Sequence, residues 1–355
     1  KPFISSKIVF LPFKNYEKMN LTRIFVPLVA SVVLYSCASN NLSYEGRAFK
    51  NAYESIKADE LKKNLMVIAS DEMEGRQTGS EGQKKAGAYI INYYKNLGIS
   101  APKALGSYYQ KVPKEALKSR RGELPDSENI LAFIEGTEKP EEIIVISAHY
   151  DHVGTTDGVV YNGADDDGSG TVAVMEIAEA FQQVKKSGKG PKRSILFLHV
   201  TGEEHGLLGS KYYSENPVYD LKNTVADLNI DMIGRSDAEN EGKNYVYVIG
   251  SEMLSSELKK INEKANDVTN KLELNYKYDD PNDPMRLYYR SDHYNFAKHD
   301  IPVAFYFDGI HADYHQPTDD PEKIDYPLLQ KRAQLVFATA WELANRETRI
   351  VVDKK

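Results

Sequence analysis

Two histidines and three carboxylates, spread over five separate segments, are the residues of this chain whose types suit chemistry. They are His149 in SAHYDH, Asp166 in NGADDDGSG, Glu204 in VTGEEHG, Asp231 in LNIDMIG and His315 in DYHQPTDD. Each stands where a hydrophobic run gives way to polar residues. Imidazole and carboxylate ligands with an open water position and a nearby base are what a pair of hydrolytic zinc ions needs, and Glu203, beside Glu204, is a spare carboxylate for the last role. The pattern points to a two-metal hydrolase.

The elements that must bring these segments together are legible as alternating strands and helices. Runs at Asn129–Ile134, Glu142–Ser147, Ser194–Val200, Thr224–Ile230, Tyr245–Ile249 and Pro302–Phe307 read as strands. Helical spacing covers Lys57–Ala69, Lys84–Leu97, Gly170–Val184, Leu207–Ser214, Ser255–Val268, Ser291–Lys298 and Tyr326–Asn345, with Gly98 as a C-terminal stop. The segment SDEMEGRQTGSEG between the first two helices reads as a loop. Near-continuous apolar strands separated by amphipathic helices predict an α/β fold, a mostly parallel or mixed central sheet with helices on both faces. In such sheets ligands bind beyond the carboxyl ends of the strands. His149, the Glu203–Glu204 pair and Asp231 each follow a strand directly, and His315 follows one through the loop 308–314, so the five residues are expected to meet.

The order HYD, GADDDGSG, GEE, NIDMIG, SDH and YHQPTDD resembles the family-28 metallopeptidases, dizinc exopeptidases whose clan also holds glutaminyl cyclases and the non-catalytic transferrin-receptor ectodomain. The resemblance runs from Ile56 to Ala344. It implies a zinc aminopeptidase acting on peptides with two Zn2+ per chain. It also implies the ligand sharing: Asp166 bridges, His149 and Asp231 complete one zinc, and Glu204 and His315 the other. Asp292, in SDH, would stand near the substrate end of the site, and Tyr314, before His315, would donate to the oxyanion of the tetrahedral intermediate.

Read as residues alone, several of these features have plainer explanations. Asp165–Asp167 before GSG would suit a solvated helix start, a Glu-Glu pair at a strand end suits the surface, and Tyr314 is one of 24 tyrosines. Five segments in one order outweigh each of those readings. Zinc lowers the pKa of its water from about 15.7 towards ~7, so a neighbouring carboxylate that is not a ligand, Glu203, can take that proton and pass it to the leaving amine. Asp151, two residues after His149, and Asp319, four after His315, are candidates to accept the second ring N–H of each histidine. His199, inside an apolar strand, reads as a core histidine, and His311 as a pocket wall or surface residue. His152, His205 and His299 receive no role.

With 355 residues and 41% apolar content the chain can bury one sizeable core. The formal charge of -7 and the lack of a basic block beyond Lys118–Arg121 argue against a nucleic-acid partner. The one cysteine, Cys37, closes a short apolar run that follows Met19 and Arg23, as in a bacterial lipoprotein signal whose cysteine is lipidated. That run of about 12 residues is shorter than the ~20 a membrane span needs. The expected organisation is an upstream extension without assigned role at 1–18, a signal at 19–37, a tether at 38–50 and a catalytic domain at 51–350, held at the cell envelope by the lipid. Two rivals remain: a single-zinc glutaminyl-cyclase-like acyl transferase, whose relatives tend to carry tryptophan where Tyr314 stands, and a binding ectodomain that has lost its metals. None of the five ligands is lost.

Overall fold

The computed structural model describes residues 43–119 and 122–354. The expected extension, signal, Cys37 and the first part of the tether lie outside them. The rest of the expected tether belongs to the folded body. Helix α1, Arg47–Ser55, buries Phe49 against Trp341 and Phe337, and the Tyr44 hydroxyl donates to the Ala338 carbonyl. The apolar residues of α1 are sparse, which is why this stretch reads as polar in sequence.

The strands in chain order are β1 Tyr109–Val112, β2 Lys118–Ser119, β3 Gly122–Glu123, β4 Ser127–Ile134, β5 Lys139–His149, β6 Gly154–Thr156, β7 Val159–Tyr161, β8 Arg193–Val200, β9 Thr224–Ile230, β10 Tyr245–Ile249, β11 Glu273–Asn275 and β12 Val303–Phe307. After α1 come α2 Ala58–Ile68, α3 Glu81–Leu97, α4 Gly170–Lys186, α5 Leu208–Glu215, α6 Leu258–Asp267, α7 His293–Ala297 and α8 Tyr326–Asn345. Helix α3 begins at a Ser80 cap that accepts from the Gln83 amide, and ends at Gly98, whose φ of 72° satisfies the terminal carbonyls. Asp325 caps α8 in the same way, through the Leu328 amide.

One eight-stranded sheet has the order β1-β4-β8-β5-β9-β12-β10-β11. Strands β8, β5, β9 and β12 are mutually parallel, while β4 and β10 flank them antiparallel. The sheet is therefore mixed, with a parallel centre. The sequence reading missed β1, β11 and the two hairpins β2–β3 and β6–β7, because two to four residues with exposed alternate positions leave no apolar run to detect.

Strand periodicity divides the core. Ile144, Ile146 and Ala148 of β5 and Ala226, Leu228 and Ile230 of β9 face α1–α4, α6 and α8 in the larger cluster. Ile143 and Val145 of β5 face the other side with Tyr213 of α5 and Phe296 of α7. On that second face the pattern turns polar towards the strand ends, at Ser147 and His149 of β5, at Asp227 and Asn229 of β9 and at Asp231 just after it. Apolar burial at ~25 cal/mol per Å² sets the register of both strands. The polar residues, with the same period, are thereby carried to one edge.

Candidate metal centre

Because β8, β5, β9 and β12 are parallel, their carboxyl ends share one edge of the sheet, and the five expected residues meet there. His149 is the last residue of β5, Asp231 follows β9, Glu203 and Glu204 stand just beyond β8, and His315 lies in the loop after β12. Asp166 sits in the tight turn Ala164–Ser169 that enters α4, with a cis peptide to Asp167. Gly163, with φ 55°, admits this turn; a Cβ there would stand 2.3 Å from the Asp166 carbonyl oxygen and 2.5 Å from the His152 ring. Met232 and His315 hold left-handed backbone at φ 62° and 55°, strain of the kind that collects at functional sites.

Two groups of ligand atoms converge on Asp166. His149 Nε2 lies 3.2 Å from Asp166 Oδ1 and 3.5 Å from Asp231 Oδ1. His315 Nε2 lies 3.0 Å from both Asp166 Oδ2 and Glu204 Oε2. Glu203 is close enough to His149 and Asp231 for all three to reach one point. Among the described residues, His149 Nε2, Asp166 Oδ2 and Glu204 Oε1 are buried without a hydrogen-bond partner. Atoms that approach this closely without making hydrogen bonds are arranged as ligands are around a cation, and the N/O donor set suits zinc.

The surrounding bonds fix these atoms. His149 Nδ1 lies 3.0 Å from the Asp151 backbone carbonyl, which can only accept, so Nδ1 carries the hydrogen and Nε2 faces the site. Burial disfavours the charged form of His149, but Asp231, Glu203 and Asp166 outweigh it and raise the ring well above its ordinary range. For His315 burial is likewise outweighed, by Asp166 and Glu204, and the ring is pushed up to about 10. A proton and a metal compete for the same nitrogens, and the carboxylates call for one or the other. Burial, first, raises the Glu203 carboxyl well above the usual range.

The two orienting aspartates act differently from expectation. The Asp151 carboxylate stands 3.8 Å from His149 Nδ1 and instead accepts from Thr78 Oγ1 at 2.7 Å and from the Glu203 amide at 3.2 Å, so it places the Glu203 backbone. Asp319 accepts from the amides of Asp165 and Asp166 rather than from His315, pinning the acidic turn. Backbone N–H groups, and for Asp151 also the Thr78 hydroxyl, take these carboxylates instead. Asp292 is fully buried, accepts from Ser210 Oγ at 2.5 Å and lies outside the cavity lining. Burial pushes its carboxyl up to about 7. Tyr314 lines the cavity and stacks on His315 with centroids 3.9 Å apart.

Several contributors escaped the sequence reading. His152 is buried with Nδ1 2.8 Å from Glu204 Oε1; its place three residues after His149 at the same strand end was the available signal. Asp167 accepts from the amides of His149, Gly170 and Met232, and Asp165 from Gly234 and from the buried His311, which is thereby an ion-pair partner. Arg76, in the segment read only as a loop, is fully buried and donates to the carbonyls of Ile68, Tyr150, Asn162 and Gly163. It ties the loop after β5 to the acidic turn. His199 is a core histidine as expected, 2.6 Å from the Tyr94 hydroxyl.

A cavity opens over Glu203, Asp166 and Asp231, and its walls are Met232, Leu287, Phe305, Phe307 and Ile310, with Arg290 and Tyr314 beside them. An α/β sheet with paired carboxylate–histidine clusters at its carboxyl edge defines the class as a metal-site α/β protein with the ligand set of a hydrolase. Residues 129–340 match the model of peptidase family M28, and the chain belongs to that family. It is 27% identical over 316 residues to a probable leucine aminopeptidase of Trichophyton verrucosum, covering 86% of this chain and 78% of the relative. Among solved structures it resembles a zinc aminopeptidase from Bacillus subtilis, with TM-score 0.65, 18% identity and coverage of 83% and 98%. It also resembles the glutaminyl cyclase of Porphyromonas gingivalis, with TM-score 0.63, 20% identity and coverage of 80% and 97%.

Arg76 offers a direct test of how the site loops are held. Replacing it by methionine takes a donor away from four buried carbonyls, of which that of Gly163 keeps the Gly168 amide, and removes a positive charge from among Asp166, Asp319, Asp167 and Asp151. Denaturant unfolding should show a loss of at least ~3 kcal/mol, with lysine restoring only part because it lacks the guanidinium's planar fork. A loss under about 1 kcal/mol would contradict this role.

Proposed function

We propose that this chain is a zinc aminopeptidase that holds two metal ions and removes the N-terminal residue of peptides. The observation that carries the reading is the approach of His149 and His315 to opposite oxygens of Asp166, at 3.2 and 3.0 Å, with Glu203 among the residues that line the adjoining cavity. His149, Asp166 and Asp231 would hold one ion, and Asp166, Glu204 and His315 the other. Three protein ligands to each ion would be the complement of a catalytic zinc site, which keeps one position for water. When bound, such ions supply an acidified water and a Lewis acid for the scissile carbonyl.

The chain's own groups perform the rest. The carboxylates around the cavity attract the free amine of the substrate. The first side chain enters among Met232, Leu287, Phe305 and Phe307, in keeping with the leucine aminopeptidase name of the relatives. Glu203 takes the proton of the attacking water and delivers it to the departing amine. Tyr314 donates to the developing oxyanion. The cyclase fold neighbour does not favour the rival reaction, since Tyr314 stands where those relatives tend to carry tryptophan and two clusters, not one, are built.

The membrane attachment of this enzyme, through a lipid on Cys37 at the cell envelope, is part of the same proposal and rests on the sequence pattern alone. Expression from Met19 should give a membrane-associated protein that Cys37→Ala releases or fails to mature. An unmodified N-terminus downstream of Cys37 in a soluble fraction would overturn it.

The function is tested by pairing two neighbouring substitutions on an aminoacyl-anilide substrate, with cyclisation of an N-terminal-glutamine peptide as the control. The wild type should hydrolyse the anilide and leave the glutamine peptide uncyclised. Glu203→Gln should keep its zinc and KM while kcat falls by ~10² to 10⁴. Glu204→Gln should instead lose metal. Equal zinc loss in both variants, or near wild-type turnover in Glu203→Gln, would contradict the assignment.

A further inference from the structure

Strand β9 presents Asp227 and Asn229 on one face, Asp231 directly after it continues the alternation, and Ser147 of β5 pairs in register with Asn229. Among them runs an unbroken line of buried hydrogen bonds. Ser147 Oγ lies 2.8 Å from Asp227 Oδ1 and 2.9 Å from Asn229 Oδ1. Asn229 Nδ2 donates to Ser291 Oγ at 2.8 Å, and Ser291 Oγ donates to Asp231 Oδ2 at 2.7 Å. All five side chains are buried, and Asp231 is left with Oδ1 towards His149.

The hydrogens available fix the direction of this line. Asn229 spends its amide on Ser291, so its oxygen needs the hydrogen of Ser147, the one hydrogen that hydroxyl has. The contact between Ser147 and Asp227 then lacks a hydrogen unless Asp227 supplies it. The second oxygen of Asp227 is buried without a partner among the described residues, where an anionic oxygen would be strongly disfavoured. We infer that Asp227 is a protonated positioning residue: it starts a one-way relay through Ser147, Asn229 and Ser291 that holds Asp231 with its free oxygen aimed at the metal. Burial, the dominant influence, pushes the Asp227 carboxyl up to about 8, in accord with a neutral group at pH 7.

This inference rests on the proposed role of Asp231 as a metal ligand. Satisfied polar lines of this kind behave as a unit, and outer partners of metal ligands typically govern metal affinity by 10- to 100-fold. Asparagine at 227 can still donate to Ser147, whereas leucine, of similar volume, cannot.

The test compares Asp227→Asn, Asp227→Leu, Ser147→Ala and Asp231→Asn by zinc competition with a chelator and by kcat and KM on the aminoacyl anilide. Asp227→Asn should remain within about twofold of wild type, while Asp227→Leu and Ser147→Ala should each weaken one zinc by roughly tenfold or more. Infrared spectra at pH 7 should contain a protonated-carboxyl band that Asp227→Asn removes, a readout independent of whether the leucine variant folds. Equal zinc affinity in the asparagine and leucine variants, or absence of that band, would overturn the relay. Asp231→Asn separates this failure from that of the wider reading: loss of zinc there keeps Asp231 as a ligand whatever the relay does, and unchanged zinc removes the ligand assignment itself.

Discussion

Buried negative charge is the constraint on which the rest of this structure depends. Asp151, Asp165, Asp166, Asp167, Asp231, Asp292 and Asp319 are all buried at one edge of the sheet, with Glu204 beside them. Removing a carboxylate from water is expensive unless it is neutralised, hydrogen-bonded or paired with a cation. The structure uses all three means. Asp165, Asp167 and Asp319 accept backbone amides, Asp227 and Asp292 are held towards neutrality by burial, and Arg76 contributes a fully buried guanidinium beside the acidic turn. Asp166, Glu204 and Asp231 have too few such partners, and their oxygens face His149 and His315. That deficit is what two divalent cations would fill.

The same charges explain why the surrounding chain is bent as it is. Acids can be gathered in one turn only if amide groups point inward, which requires the left-handed Gly163 and the strained Met232 and His315. Asp167 draws together the amides of His149, Gly170 and Met232, from β5, α4 and the segment after β9. One side chain thus fixes three of the segments that carry ligands. Arg76 does the complementary work with carbonyls, so the loop after β5 and the acidic turn are held by donors on one side and acceptors on the other.

Much of this was legible in the sequence, and the omissions have physical causes. The parallel centre of the sheet and the five converging residues followed from apolar runs ending in polar residues, because burial fixes strand register and register fixes where the strand-end residues go. The roles of Asp151 and Asp319 were misassigned because sequence spacing brings a carboxylate near a ring but does not reveal which N–H is closer. His152, Asp167 and Arg76 were overlooked for a related reason. Each bonds to backbone groups or to partners distant in sequence, and such bonds leave no periodicity. Asp227 and Asn229 lay inside a run read simply as a strand, and their meaning appeared only once Ser147 and Ser291 stood beside them.

If buried carboxylates without enough partners are the organising feature, their number should set the metal content. Elemental analysis of purified, fully active protein measures this most directly. The account predicts close to two zinc ions per chain, with activity lost on chelation and regained as both are restored. Full activity with one reproducible, tightly bound zinc would contradict it.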